Sequence, residues 1–424
     1  MSRSEPRVVV VGGGFGGLEA AKTLRHAWVS VTLCDRNNYH LFQPLLYQVA
    51  TGGLAPGEVA APIRRVLRSQ ANAAVLLEEV EQIDLERQEV VHADGRIPYD
   101  YLVVATGARH AYFGHDDWEA AAPGLKTLED ALDIRRRIYL AYEEAERCTD
   151  PGRLPALLDF VVIGGGPTGV ELAGAIAEIA RRTLRRDFRR IDPASSRVIL
   201  IEAGPRVLPG LPPELSASAM AALTAMGVEV RLGTPVSDVS PDGVRLGREW
   251  IASRTVIWAA GVEASPLGRA LGWPADRAGR IEVLPDLSLP GHPEVFVVGD
   301  LAFVSGPGGK PLPGLAPVAM QEGRLAARNI IRRIAGQPTQ PFSYHDRGAL
   351  ATIGRRAAVA DIRGLRLTGF PAWLAWLFVH ILYLIGFDNR VVVLWHWAYA
   401  YATFERADRL ITESRRAMKA GPSC

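Results

Sequence analysis

The chain has 424 residues, 48% of them hydrophobic and 22% charged, with a formal net charge of +2. That length exceeds one ordinary core and implies two or three domains, and the composition excludes a disordered chain. So small a net charge gives no electrostatic case for nucleic acid, and three scattered cysteines (Cys34, Cys148, Cys424) form neither a disulfide framework nor a metal site.

The N-terminus enters a strand without an apolar leader, so a cytosol-facing protein is expected. Arg7–Val11 is a short apolar run ending at Gly12, Phe15–His26 reads as a helix, and Val29–Cys34 is a second strand closing on Asp35. Gly12, Gly14 and Gly17 fit G-x-G-x-x-G between that strand and helix. Gly12 permits the tight turn, Gly14 lets a pyrophosphate approach the backbone, and Gly17 lets the helix pack on the strand. The helix N-terminus offers free N–H groups to phosphate. Asp35 stands where a carboxylate can bind a ribose.

A hairpin is expected from Glu89–Val91 through a turn at Asp94–Gly95 to Tyr99–Val104. Leu125–Tyr142 has helical spacing and many charges and reads as a crossover between domains. Residues 159–202 then repeat the opening plan: strand Asp159–Ile163, glycines Gly164, Gly166 and Gly169, a helix from Thr168, and strand Val198–Ile201 closing on Glu202. An acid there favours NADH, because it repels the 2′-phosphate of NADPH; Arg206 nearby works the other way. The helix is expected to continue through the arginine-rich stretch 181–190. There Arg181, Arg185 and Arg189, and Arg182, Arg186 and Arg190, would form two rows on one face. The plain reading of those rows is a solvated face; the sharper one is attraction of lipid or dinucleotide phosphate.

Short strands follow near Val228–Arg231, Val244–Leu246 and Val256–Trp258, then strand Val295–Val298 ending at Gly299–Asp300, and helix Met320–Ile334 after a proline- and glycine-rich loop. Phe370–Phe387 is almost wholly apolar, Asp388–Asn389–Arg390 interrupts it, and Val391–Tyr401 is apolar and aromatic again. The basic tail carries Arg406, Arg409, Arg415, Arg416 and Lys419. An 18-residue helix would reach roughly 27 Å, short of a hydrocarbon core. Trp373, Trp376, Tyr383, Trp395, Trp397, Tyr399 and Tyr401 suit a membrane interface. A monotopic anchor is therefore expected over a transmembrane span, with the basic tail at anionic headgroups. A homodimer contact is the soluble alternative for the same face.

The fold expected is α/β, with two Rossmann-type dinucleotide-binding domains and a C-terminal membrane-associating region. The domains expected are 1–120 with 275–345 for the first dinucleotide, 121–274 for the second, and 346–424 for the anchor.

Three further stretches carry a family resemblance. Tyr99–Gly107 resembles the ATG motif of the pyridine nucleotide–disulfide reductase superfamily, Val256–Gly261 its later counterpart, and Val295–Asp300 its distal FAD motif. Within that superfamily the chain resembles the type II NADH dehydrogenases, single-subunit NADH:quinone oxidoreductases. The local matches are His40–Ala50, Gly169–Val170–Glu171, Ala319–Met320–Gln321–Glu322, and Ile385–Arg390 followed by Trp395 and Trp397. Glu322 departs from the pattern, since many bacterial members carry a second glutamine close to the first.

The resemblance implies FAD held by Gly12, Gly14, Phe15, Gly17, Asp35, Arg36, Pro44, Leu45, Thr106, Gly107, Asp300 and Gln321. It implies NADH held by Gly164, Gly166, Gly169, Glu171, Glu202 and Gly261. Membrane quinone would meet Tyr47, Gln48 and Gln321, with Glu171 and Gln321 as the catalytic pair. The reaction implied is ping-pong: hydride from NADH to flavin, then electrons to quinone, at the cytoplasmic side of the cell membrane and without proton pumping. Each of these residues also has a plain structural reading; Glu171, for example, sits where an acid merely stabilises its helix. The rivals are a disulfide reductase or a sulfide:quinone oxidoreductase, both of which need paired cysteines, and a slow membrane-associated flavoprotein.

Overall fold

The computed structural model describes residues 5–384, 387–403, 406 and 408–411. Ile385, Gly386, Arg415, Arg416, Lys419 and Cys424 lie outside the described residues, as do the side chains of Asp388, Asn389 and Tyr401. The chain divides into two compact units. One comprises residues 1–41, 60–110 and 262–346, the other residues 42–59, 111–261 and 347–424. These bounds differ from the expected ones: 42–59 groups with the second unit, the return to the first comes at 262 rather than 275, and 347–424 belongs to the second unit instead of standing apart.

The first unit is built on a six-stranded sheet. Its order is Ser288–Leu289, His292–Val297, Tyr101–Val104, Arg7–Val11, Ser30–Asp35 and Ala73–Leu77. All neighbours pair in parallel except the first two strands. Val8–Val11 are buried on both faces, which is why the strand is a continuous apolar run with no alternation. Helices Phe15–Thr23 and Ala316–Ile334 pack together on it. Gly16 and Gly323 permit this, since a Cβ on Gly323 would stand 2.1 Å from the Gly16 carbonyl oxygen.

The expected hairpin forms differently. Val80–Asp84, Glu89–His92 and Gly95–Pro98 make a three-stranded antiparallel meander, and Tyr101–Val104 joins the parallel sheet. Leu102–Val104 are fully buried and have no polar face to offer a solvated hairpin.

The second unit holds a four-stranded parallel sheet in the order Val228–Leu232, Arg197–Glu202, Asp159–Ile163, Thr255–Trp258. Helix Leu128–Arg147 starts at a capping box: Asp130 N–H bonds to Thr127 Oγ1, and the Asp130 carboxylate accepts from Thr127 N–H. The helix after the second glycine run spans Pro167–Glu178, ends in one π-helical turn, Ile179–Thr183, and goes no further.

The two arginine rows therefore do not exist. From Leu184 the chain turns, because Leu184 is buried, Phe188 packs on Tyr142, and Glu146 accepts the backbone N–H groups of Arg189, Arg190 and Ile191 at 2.9–3.2 Å. A carboxylate collecting three successive amides outcompetes helix propagation.

After an antiparallel three-stranded sheet, Ala349–Gly354, Ala357–Ile362 and Leu365–Thr368, come two helices, Gly369–Tyr383 and Phe387–Thr403. Asp388–Arg390 lie in the first turn of the second helix and do not interrupt it. The Arg390 guanidinium donates to the carbonyls of Leu382 and Leu384 at 2.8 Å, satisfying the end of the first helix and fixing the break there. Among the described residues no helix is long and apolar enough to cross a membrane.

Candidate functional site

The first cradle follows strand Arg7–Val11. Gly12 has φ +102°, and its Cβ would stand 2.4 Å from the Ala105 carbonyl oxygen. A Cβ on Gly17 would stand 1.9 Å from the Gly12 carbonyl oxygen. The protein's own backbone requires both glycines. Around Gly14 a Cβ would meet nothing within 4 Å, so the protein leaves space there for something else. Asp35 Oδ2 accepts from Gly13 N–H at 2.5 Å and Oδ1 from Asn37 N–H at 2.6 Å, which braces the turn. Burial raises the Asp35 carboxyl, outweighing those two amides, which lower it.

Two buried polar atoms close to this cradle, His40 Nε2 and Thr106 Oγ1, are among those of the unit that lack a partner. His40 is held from its other nitrogen, with Nδ1 2.9 Å from the Gly13 carbonyl oxygen, and its ring sits edge-on to Phe15 at 4.9 Å. An open cradle at a helix N-terminus with two unsatisfied polar atoms fits a phosphate-bearing cofactor such as FAD.

The second cradle repeats the device. Gly164 has φ +113°, a Cβ on Gly169 would stand 1.8 Å from the Gly164 carbonyl oxygen, and around Gly166 the space is open. Glu202 Oε2 accepts from Gly165 N–H and Oε1 from Gly204 N–H, both at 2.6 Å. Arg206 turns away: its guanidinium donates to the carbonyls of Pro209 and Leu211 and to Ser216 Oγ. It is thus committed within the fold.

Glu171 sits in the second turn of helix Pro167–Glu178, behind this second cradle, on the wall of a cavity of about 130 Å³. Tyr47, Gln48, Glu178, Thr352, Trp376, Trp397 and Arg406 share that wall. Burial pushes the Glu171 carboxyl up to about 8, against a hydrogen bond from the Thr352 backbone that lowers it. Desolvation thus wins over the helix N-terminus, and Glu171 is protonated at neutral pH. Burial also holds the Tyr47 hydroxyl well above its ordinary value. Arg406, expected in a basic tail at headgroups, lies in this wall instead, donating to Thr51 O at 3.0 Å, Thr51 Oγ1 at 2.8 Å and Glu178 at 3.3 Å. Trp376, expected at a membrane interface, is buried, and its indole N–H has no partner.

A larger hollow of about 460 Å³, lined by Asp100, Tyr101, Glu294 and Arg333, lies in the first unit where the parallel strands begin. Ligands of such sheets bind at the opposite, carboxyl ends.

The pyridine nucleotide-disulphide oxidoreductase family matches residues 6–323. The chain is 47% identical over 425 residues to the type II NADH:quinone oxidoreductase Ndh of Mycobacterium tuberculosis, covering 96% of this chain and 91% of that protein. It is 46% identical to NdhA of the same organism, covering 96% and 89%. The chain belongs to the type II NADH:quinone oxidoreductases. Among solved structures, NDH2 from Plasmodium falciparum in complex with NADH shares the fold, with a TM-score of 0.86 at 20% identity over 97% of this chain and 100% of that one.

Set in that family, the cavity gathers Tyr47, Gln48 and Glu171, but Gln321 does not line it. Gln321 belongs to the first unit, where both ends of its amide are tied to the His345 backbone at 3.0–3.1 Å. Its neighbour Glu322 is buried and accepts from Gly299 N–H at 2.6 Å, steadying the turn that carries Asp300; burial and Asp300 push its carboxyl up to about 8. Gly107, at φ +67°, has open space around it, and a Cβ on Gly261 would crowd Phe113. Arg36 is exposed beside Glu79, while Leu45 is fully buried in a short turn with Pro44. Sequence reasoning missed Glu178, Thr352 and the inward turn of Arg406. A lone Glu one helical turn past an apolar face, or an Arg in a basic tail, carries no signal of its own.

Proposed function

We propose that this type II enzyme is a non-proton-pumping, FAD-dependent NADH:quinone oxidoreductase working by a ping-pong cycle. The observation that carries the reading is the cavity behind the second cradle, which pairs a dinucleotide site with a protonated Glu171 and a protonated Tyr47 in one unit. FAD, when bound, accepts the hydride and returns two electrons to the quinone. Gly12, Gly14, Gly17 and the helix N-terminus beside Phe15 hold its pyrophosphate. Asp35 and Arg36 would bind its ribose, and Thr106, Gly107, Asp300, Pro44 and Leu45 would hold the rest of the cofactor. Gly164, Gly166, Gly169, Glu202 and Gly261 hold NADH.

Quinone reduction consumes two protons. Glu171, neutral at physiological pH, holds one at the cavity wall and is the proton donor to the quinone, with Tyr47 and Gln48 lining the head-group site. Gln321, whose amide is tied to the His345 backbone, would have to release that contact to donate a hydrogen bond to flavin or quinone. Thiol chemistry is the reading with least support: Cys34 is buried in a strand and its thiol is pushed up to about 11, so it is no nucleophile at neutral pH.

The C-terminal helices favour a bilayer surface as partner. Phe370, Leu374, Phe378 and Leu382 recur every fourth residue on one helix, and Val391, Trp395 and Tyr399 on the next, all exposed. This face would lie in the interface at the cytoplasmic side of the cell membrane. The test is NADH oxidation by purified protein with bound FAD, with a short-chain quinone, NADPH and sulfide compared. Quinone-dependent oxidation of NADH is expected; reduction of the flavin that quinone fails to reverse would refute the assignment. Flotation with liposomes separates the bilayer from a homodimer as what covers the apolar face.

A further inference from the structure

Trp397, on helix Phe387–Thr403, donates its indole Nε1–H to Gln48 Oε1 at 2.7 Å. An indole is a donor only, so the contact decides which end of the Gln48 amide faces it. The amide nitrogen is then turned to Tyr47 and donates to its hydroxyl oxygen at 2.9 Å. A phenol that accepts from an amide N–H keeps its own O–H for another acceptor. No described residue takes that proton, and Tyr47 lines the cavity together with Glu171. Trp376 packs on Trp397, ring centroids 5.4 Å apart at 38°, and holds the indole in place.

We infer that Trp397 is a positioning residue for quinone: by fixing the Gln48 amide it keeps the Tyr47 O–H free to donate a hydrogen bond to a quinone carbonyl oxygen in the cavity. The inference rests on the quinone reading above. Tyr47 donates a hydrogen bond and gives up no proton. Without the indole N–H, the Gln48 amide can turn over, and its carbonyl then accepts the Tyr47 O–H and removes it from the substrate. The C-terminal helices thereby set the donor pattern of the head-group site, beyond presenting an apolar outer face.

The test uses the full-length, FAD-loaded protein and a short-chain 1,4-benzoquinone. Trp397→Phe keeps an aromatic ring and deletes the N–H. It is expected to raise the quinone KM about fivefold to tenfold, the size of one hydrogen bond, with kcat changed less than twofold. In a Tyr47→Phe background the same substitution should do nothing further. Adding Gln48→Leu to Trp397→Phe removes the competing carbonyl and should bring KM back toward the wild-type value. A purely structural role for Trp397 predicts no such rescue. An equal KM rise in the Tyr47→Phe background, or a double variant no better than Trp397→Phe, overturns the inference while leaving the quinone assignment standing. Wild-type protein that fails to reduce the quinone at all refutes the assignment and this inference with it.

Discussion

At the scale of single residues, the three glycines of each cradle do different work. Gly17 is needed by the fold, so Gly17→Ala should leave little folded protein. Gly14 is needed only by a ligand. Gly14→Ala should keep the thermal midpoint of the apoprotein while lowering FAD affinity about tenfold or more, measured by fluorescence titration. Glu171 carries a pH signature. It is a proton donor only while protonated, so quinone-dependent kcat should fall as pH rises through about 8. In Glu171→Gln that limb should disappear along with most of the activity; a profile unchanged from wild type would remove Glu171 from the proton path.

The cradle glycines and their closing acids were readable in sequence because strand, glycine run, helix and acid are contiguous. The ionisation of Glu171 was not, since helix dipole and burial oppose each other and only the cavity shows which is larger. The fate of Gln321 was equally hidden: nothing near it in sequence announces that His345, 24 residues on, takes both ends of its amide.

At the scale of elements, periodicity identified the parallel strands and the long helices well. It failed where a side chain from elsewhere decided the path. The helix after the second cradle stops because Glu146, on a different helix, collects three amides of the following turn. Glu146→Ala should therefore speed hydrogen exchange at Arg189, Arg190 and Ile191, with no change at helix Pro167–Glu178. The two C-terminal helices were legible as apolar, yet sequence did not divide them correctly. The break comes before Asp388, and Arg390 ties down the carbonyl end of the first helix. Their outward side chains should govern membrane attachment. Replacing Phe378 and Trp395 together by serine removes about 1.5–3 kcal/mol of apolar burial per side chain. Liposome binding should drop by more than tenfold in a flotation assay, while NADH-driven reduction of a water-soluble quinone continues.

At the scale of the whole molecule, each unit encloses a carboxyl that burial raises to about 8: Glu322 in the first and Glu171 in the second. Between the ordinary carboxyl range and about pH 8 the folded protein binds more protons than the unfolded chain, so stability falls as pH rises across that window. Across the whole window the loss should be on the order of 5 kcal/mol for each group. Glu322→Gln, which keeps an acceptor for Gly299 N–H, should lessen the fall of the thermal midpoint between about pH 5 and pH 8, with the remaining slope belonging to Glu171.

Duplication of the glycine–acid plan made the α/β class and the two dinucleotide sites legible. The assignment of 42–59 and 347–424 to the second unit was not, because it depends on packing between segments some 350 residues apart, such as Trp397 on Gln48 and Arg406 on Thr51.

That return of Arg406 to Thr51 and Glu178 bears on how a water-soluble form of the enzyme should be engineered. Trimming the chain after its last helix would take away a guanidinium that bonds two elements of the cavity wall. The trimmed enzyme would keep the apolar helix faces that bind lipid and would handle its lipophilic substrate poorly. Polar replacements on the outward helix faces, with the chain kept to residue 411 or beyond, would separate solubility from catalysis.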